Sequence, residues 1–341
     1  MYNLDYLEFY ITNVCNLNCT NCNRCNNFNF SGHSLWNEYQ QDTEKWSKIL
    51  NVKEIGILGG EPMLNPDFMI WVKHIADLWP SSKIRIITNG TQLKKWPGLY
   101  DLLAQYIGRI EVEVNCHNVD TRDQILNDIK SLVKGPLTER WLDVPLDRWV
   151  NNYNSVKDPS WPVCNCPEDF FNLPDWIQKE CKHTHNIDPE YWVPNNVALE
   201  IVDHNNVAFE LHPAGCFNNS TVIYDAASHS VSLHDNNPED SMKVCYFKKC
   251  HHIIKGKLYK CGPVGILPEF VKQFKIDLTP KQKTLINTYE PAEHTWSADR
   301  LQKFIESMVA AEPIPQCSLC PASFEQTTFK ATNKKIKLVK I

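Results

Sequence analysis

Glycine is scarce in this chain, 12 of 341 residues, which excludes collagen-like and glycine-rich low-complexity proteins. Positive charge is not in surplus: 35 Lys and Arg stand against 40 Asp and Glu, a net charge of -5. That removes the electrostatic footprint of bulk nucleic-acid binding. No apolar run approaches the ~20 residues that a membrane span requires. The opening stretch, MYNLDYLEFYITNVC, lacks the basic and apolar segments of a secretory signal, so a cytoplasmic protein is expected. With 43% hydrophobic and 22% charged residues, wholesale disorder is excluded, and one large domain or two modest ones can be packed.

What the chain has in quantity is cysteine, 14 residues. Disulfides need an oxidising compartment. In a cytoplasmic chain, clustered thiols more often hold metal, and scattered ones are small buried hydrophobes.

Strand-like and helix-like segments alternate through the first third. Leu7 to Thr12 (LEFYIT), Val52 to Leu58, Lys83 to Thr88 and Arg109 to Cys116 read as strands. Ser34 to Leu50, with Ser34 as N-cap, Asp67 to Trp79, Leu99 to Tyr106 and Thr121 to Val133 read as helices. Four βα units in a row predict an α/β fold with a parallel sheet. In such folds ligands gather beyond the C-terminal ends of the strands. In the fourth strand Glu111, Glu113 and Asn115 share one face, so that face lines either an open barrel lumen or a solvated edge. Residues 136–195 lack periodicity and read as an irregular insertion. Val197 to His212 reads as a hairpin around Asn205-Asn206. No fifth or sixth barrel strand can be placed. The Lys-rich end, residues 331–341, is expected as a solvated tail or edge strand.

After the first strand comes NVCNLNCTNCNRC, in which Cys15, Cys19 and Cys22 have the spacing C-x3-C-x2-C. Three thiolates on one loop can hold three irons of a [4Fe–4S] cube and leave the fourth iron open to a small molecule. A zinc site would need a fourth ligand, which Cys25 can supply. After the second strand comes Gly59-Gly60-Glu61-Pro62. The two motifs together, at successive strand ends, resemble the radical S-adenosylmethionine (radical SAM) superfamily over roughly residues 5–135.

The resemblance implies a partial (β/α)6-type barrel. It implies Cys15, Cys19 and Cys22 as ligands of the SAM-binding cluster, and Gly59, Gly60, Glu61 and Pro62 as the segment that holds the methionyl amino group. Thr88, Asn89 and Asn115 fall where this superfamily contacts the SAM ribose and carboxylate. The residue before the third cysteine, usually aromatic, is here Asn21, so Phe28 or Phe30 is the candidate for the adenine platform.

A second cysteine group lies at CYFKKCHHIIKGKLYKCG, residues 245–262, and at Cys317-Ser318-Leu319-Cys320. A turn centred on Lys255-Gly256 places Ile253 opposite Leu258 and Cys250 opposite Cys261. Cys250, Cys261, Cys317 and Cys320 then supply four thiolates for a closed site, with Cys245 competing for the place of Cys250. This resembles the twitch module, a truncated relative of the SPASM domain, which carries an auxiliary [4Fe–4S] cluster. A Zn(Cys)4 ribbon uses the same logic. His251 and His252 are expected as packing and surface residues of the hairpin, and Cys116, Cys164, Cys166, Cys181 and Cys216 as buried thiols.

The domains expected are 1–135 for the first part of the barrel, 136–242 for the insertion and remaining strands, 243–330 for the auxiliary module and 331–341 for the tail. The activity implied by the resemblance is hydrogen abstraction from a small-molecule substrate, a nucleotide, sugar or amino-acid derivative. A flavodoxin- or ferredoxin-type electron donor is the expected partner. The alternatives are a peptide-modifying enzyme of the same superfamily and a non-catalytic zinc or Fe–S scaffold.

Overall fold

The computed structural model describes residues 1–143 except 20 and 118, residues 197–323 except 214–215, 218–219 and 246, and residues 327–328, 335–336 and 338. Cys164, Cys166 and Cys181 lie outside the described residues.

The four expected βα units are present: β1 (Tyr2–Tyr10), α1 (Trp36–Ile49), β2 (Leu50–Leu58), α2 (Phe68–Leu78), β3 (Lys83–Thr88), α3 (Leu99–Gln105), β4 (Ile110–Cys116) and α4 (Val119–Leu132). Leu35 rather than Ser34 caps α1, because Glu38 reaches back to the Leu35 N–H at 3.2 Å. Ser34 is buried instead, its carbonyl accepting from Asn65 and from the Trp71 indole. Then follow β5 (Leu137–Asp143), β6 (Val197–Asp203), β7 (Ala208–Pro213), β8 (Cys216–Phe217), β9 (Val222–Asp225), β10 (Ser230–Leu233) and α5 (Pro238–Lys243). After these come β11 (His251–Ile254), β12 (Lys257–Tyr259), α6 (Gly262–Phe274), α7 (Pro280–Thr288), α8 (Ala298–Val309) and β13 (Thr327–Thr328).

Nine strands form one sheet in the order β12-β11-β1-β2-β3-β4-β7-β6-β5. The six from β11 to β7 are parallel neighbours, which gives the α/β fold of a partial barrel. The two strands that the sequence did not place are therefore β7 and β11, one on each flank of the four βα units. The hairpin expected over residues 197–212 is β6 and β7, with Asn206 in the left-handed region at φ 57. The reading of 136–195 as wholly irregular is corrected: β5 pairs antiparallel with β6 along its length.

Alternation divides the sheet into two chemistries. Ile57, Ile86, Val112 and Phe209 form one row across four strands and pack under the helices. On the other face, Glu8, Gly56, Arg85 and Glu111 form one row, and Glu113, Glu210 and Glu200 another. Because β4 lies between β3 and β7, its polar face is interior to the sheet, and the solvated-edge reading falls. Arg85 stands 2.6 Å from Glu54, 3.2 Å from Glu113 and 3.8 Å from Glu111. One buried guanidinium thus holds several carboxylates that water would otherwise have to solvate.

The β11–β12 hairpin has the expected register, Ile254 opposite Lys257 and Ile253 opposite Leu258. Its first strand, β11, pairs in parallel with β1, and β12 forms the sheet edge. The Trp46 indole on α1 donates to the Gly256 carbonyl at 2.8 Å, fixing the hairpin turn to the first helix. Among the described residues no helix is long and apolar enough to cross a membrane.

Candidate active site

The loop after β1 is built as an extension of the sheet. The Ile11 N–H donates to the Leu58 carbonyl at 2.9 Å, Gly60 to Thr12 at 2.7 Å and Glu61 to Val14 at 2.8 Å. The cysteine loop and the Gly59–Pro62 segment are thus directly bonded to each other. The contact is close enough to require glycine: a Cβ on Gly60 would stand 2.4 Å from the Val14 oxygen and 2.9 Å from the Cys15 Cβ. Gly60→Ala is therefore expected to push the cysteine loop aside, costing about 1–3 kcal/mol in urea unfolding and reducing iron uptake on reconstitution.

Leu17 and Cys19, flanked by Cys15 and Cys22, form a small apolar cluster of their own. The Leu17 N–H donates to the Cys15 Sγ at 3.4 Å, and the Asn89 side chain to the same sulfur at 3.9 Å and to Asn16 at 3.0 Å. Burial pushes the Cys15 thiol up to about 12, opposed mainly by Lys335. Burial and then the neighbouring Cys22 and Cys15 push Cys19 up as well. Three mutually close thiols with N–H donors aimed at sulfur are a donor set suited to an iron–sulfur cluster, whose binding displaces their protons. Cys25 is buried in a different apolar cluster, although its thiol remains within electrostatic reach of Cys22.

Glu61 is fully buried, and its carboxylate is occupied within the protein. It accepts from the Thr88 hydroxyl at 2.7 Å, the Asn89 N–H at 2.8 Å and the Met63 N–H at 3.1 Å. Desolvation raises it to about 7 against those three donors. Its side chain therefore clamps the end of β3 to the end of β2. Asn115 donates to Glu113 at 3.0 Å on the polar face. Next to it in register, His212 stands 3.3 Å from Glu210.

Phe28 and Phe30 do not face this site. Both are buried against Phe270 and Phe274, so neither is placed to stack on an adenine there. Apolar demand in the α6 core takes these rings.

The cysteines of both groups and Cys116 are free thiols, and the Cys216 side chain lies outside what is described. Those of the second group come together across the hairpin and the segment after α8. Cys245, Cys261, Cys317 and Cys320 line one largely apolar pocket. Cys250 lies within electrostatic reach of Cys245 and Cys261, and also of Glu8 and Arg24. The structure thus brings together all four expected thiols and Cys245, with Cys245 on the pocket wall. Burial raises Cys245 to about 11 and Cys261 to about 12. Among the described residues no three His, Cys, Asp or Glu side chains are placed to hold one metal ion. A cubane takes one thiolate on each of its irons and so asks for a wider spread of sulfurs than a single ion does.

Three groups had no signal in the sequence. Glu8, in the middle of an apolar strand, stands 2.9 Å from Arg24 of the cysteine loop and 2.6 Å from His252 of the hairpin. His251 and His252 are consequently buried rather than on the surface. Arg85 sits among acidic residues that are far apart in sequence. Lys335, in the tail, reaches the cysteine loop. Cys116 is a buried core thiol, as expected.

Residues 9–145 match the radical SAM superfamily. The chain carries a radical SAM domain. The matched residues run from β1 past β5 and include both motifs of the site. Two curated relatives are similar over part of this region. The GTP 3',8-cyclase of Petrotoga mobilis is 27% identical over 121 residues, 35% of this chain and 37% of that protein. The GTP 3',8-cyclase of Nautilia profundicola is 28% identical over 95 residues, 27% of this chain and 30% of that protein. The chain therefore spans about a third of the length of the curated relatives it matches. Among solved structures, Streptococcus suis SuiB bound to S-adenosylmethionine is similar at 20% identity with a TM-score of 0.32, over 38% of this chain and 31% of that one.

Proposed function

We propose that this chain is a radical SAM enzyme acting on a small-molecule substrate, a nucleotide, sugar or amino-acid derivative. The observation that carries the reading is the hydrogen bonding of Gly60 and Glu61 to Thr12 and Val14, the stem that leads directly into Cys15, which sets the two motifs side by side next to a polar-lined sheet face. In this reading Cys15, Cys19 and Cys22 hold a [4Fe–4S] cluster, and the Gly59 and Gly60 backbone approaches the amino group of SAM. Such a cluster with SAM would supply radical chemistry, the removal of a hydrogen atom from an unactivated C–H bond.

The chain's own residues do the positioning. Glu61 fixes Thr88 and Asn89 against the ligand side of the sheet. Asn89 couples that edge to Cys15 and Asn16. Glu113, Glu210 and His212, buried from bulk water, and the half-buried Asn115 present hydrogen-bonding groups from adjacent strands on the polar face. Cys261, Cys317 and Cys320, with Cys250 or Cys245, hold an auxiliary [4Fe–4S] cluster in a twitch-like module. Electrons come from a flavodoxin- or ferredoxin-type donor in the cytoplasm.

Anaerobic reconstitution tests the reading. Two cubes predict about eight irons per chain, with 5′-deoxyadenosine formed from SAM on reduction. Zinc alone, with no SAM cleavage, would sink it in favour of a structural scaffold.

A further inference from the structure

The cysteine loop is not completed by the first third of the chain. Lys335 arrives from the C-terminal tail, and its ammonium donates to the carbonyls of Leu17 and Asn26, the latter at 2.5 Å. Leu17 lies between Cys15 and Cys19, and Asn26 follows Cys25, so one side chain spans both legs of the loop. The approach is fixed by the backbone beside it: the Ile336 N–H donates to the Asn27 carbonyl at 2.9 Å, and Ile336 pairs with Phe28 in a parallel bridge. Arg24, the loop's own cation, is turned to Glu8.

We propose that Lys335 is a positioning residue of the first cysteine site, which ties the loop shut and sets a fixed positive charge beside its three thiols. This rests on the reading of Cys15, Cys19 and Cys22 as cluster ligands. A thiolate-held [4Fe–4S] site gains one negative charge on reduction. A cation held nearby in a partly desolvated position favours that reduced state. Tethering alone would not change the potential in this way, because a neutral side chain of similar reach can also donate to the two carbonyls.

The test is a redox titration of the reconstituted full chain with a low-potential chemical reductant, followed by electron paramagnetic resonance. The first site is recognised by the signal that changes when SAM is added. Wild type, Lys335→Gln and Lys335→Arg are compared, with iron content measured for each. The expected result is that Lys335→Gln retains its iron but its reduction equilibrium falls about tenfold, about 59 mV for one electron. Lys335→Arg stays near the wild type. An unchanged midpoint in Lys335→Gln overturns the assignment of the charge while leaving the cluster reading intact. If Lys335→Gln takes up no iron, Lys335→Arg decides: wild-type loading and potential support the proposal, and failure of both variants overturns it. Absence of any SAM-responsive signal in the wild type takes down the cluster reading and this inference together.

Discussion

A Cys15→Ala/Cys19→Ala/Cys22→Ala protein should fold and yet lose SAM cleavage to background. The three thiols belong to a small apolar cluster with Leu17, separate from the main core beneath the sheet. Their loss therefore opens no cavity under the helices. The loop keeps its backbone bonds from Gly60 to Thr12 and from Glu61 to Val14, and its tie from Asn26 to the Asn13 carbonyl at 2.6 Å. Circular dichroism and urea unfolding should thus stay close to the wild type, while reconstitution recovers only the iron of the second group. A Cys317→Ala/Cys320→Ala protein should show the converse, keeping the first site's iron. If the triple variant still forms 5′-deoxyadenosine, the first loop is not the cluster site.

Much of this arrangement was legible in the sequence because it is local. The strand over 83–88 and the Lys255-Gly256 turn with its register follow from period-2 alternation and turn chemistry within a few residues. The C-x3-C-x2-C loop and Gly59–Pro62 are each contiguous, and their expected positions at the ends of β1 and β2 hold. What the sequence concealed is long-range. Nothing near Glu8 announces that a buried acid in LEFYIT will meet Arg24 and His252. Nothing in HHII indicates a strand that adds to the far edge of β1, because parallel pairing leaves no turn between partners. Phe28 and Phe30 show the complementary failure: proximity in sequence to a site does not orient a ring toward it when a larger aromatic cluster competes for it.

Removing Glu8 should be the most damaging single change outside the cysteines. The carboxylate is 4% exposed and shared between Arg24 at 2.9 Å and His252 at 2.6 Å, with the Tyr6 hydroxyl donating at 2.9 Å. Glu8→Ala takes the counter-charge from the buried His252 and the half-buried Arg24, which costs about 3 kcal/mol. It also unties the cysteine loop from the hairpin that carries Cys250 and Cys261. The same carboxyl has a pH signature. Burial pushes it up, but His252 and Arg24 more than offset that and hold it at about 2, against an ordinary value of 4.5. Its contribution is therefore complete above about pH 4.5 and is lost as pH falls toward about 2, on the order of 3 kcal/mol in all. Glu8→Gln should flatten that acid limb of the stability profile. An acid limb unchanged in Glu8→Gln would show that the triad does not hold the ionised form.

The pairing of β1 with β11 also sets a clock on biosynthesis. Leu7 finds its partner in His251, roughly 240 residues later. At ~5–20 residues per second, a ribosome leaves that side of β1 unpartnered for on the order of 10 to 50 seconds. During that interval the nascent chain presents a strand edge with apolar neighbours, the template on which chains associate with one another. Slow translation, or a message cut short before His251, lengthens that exposure or makes it permanent. The yield of intact protein should therefore depend on how promptly the later hairpin arrives.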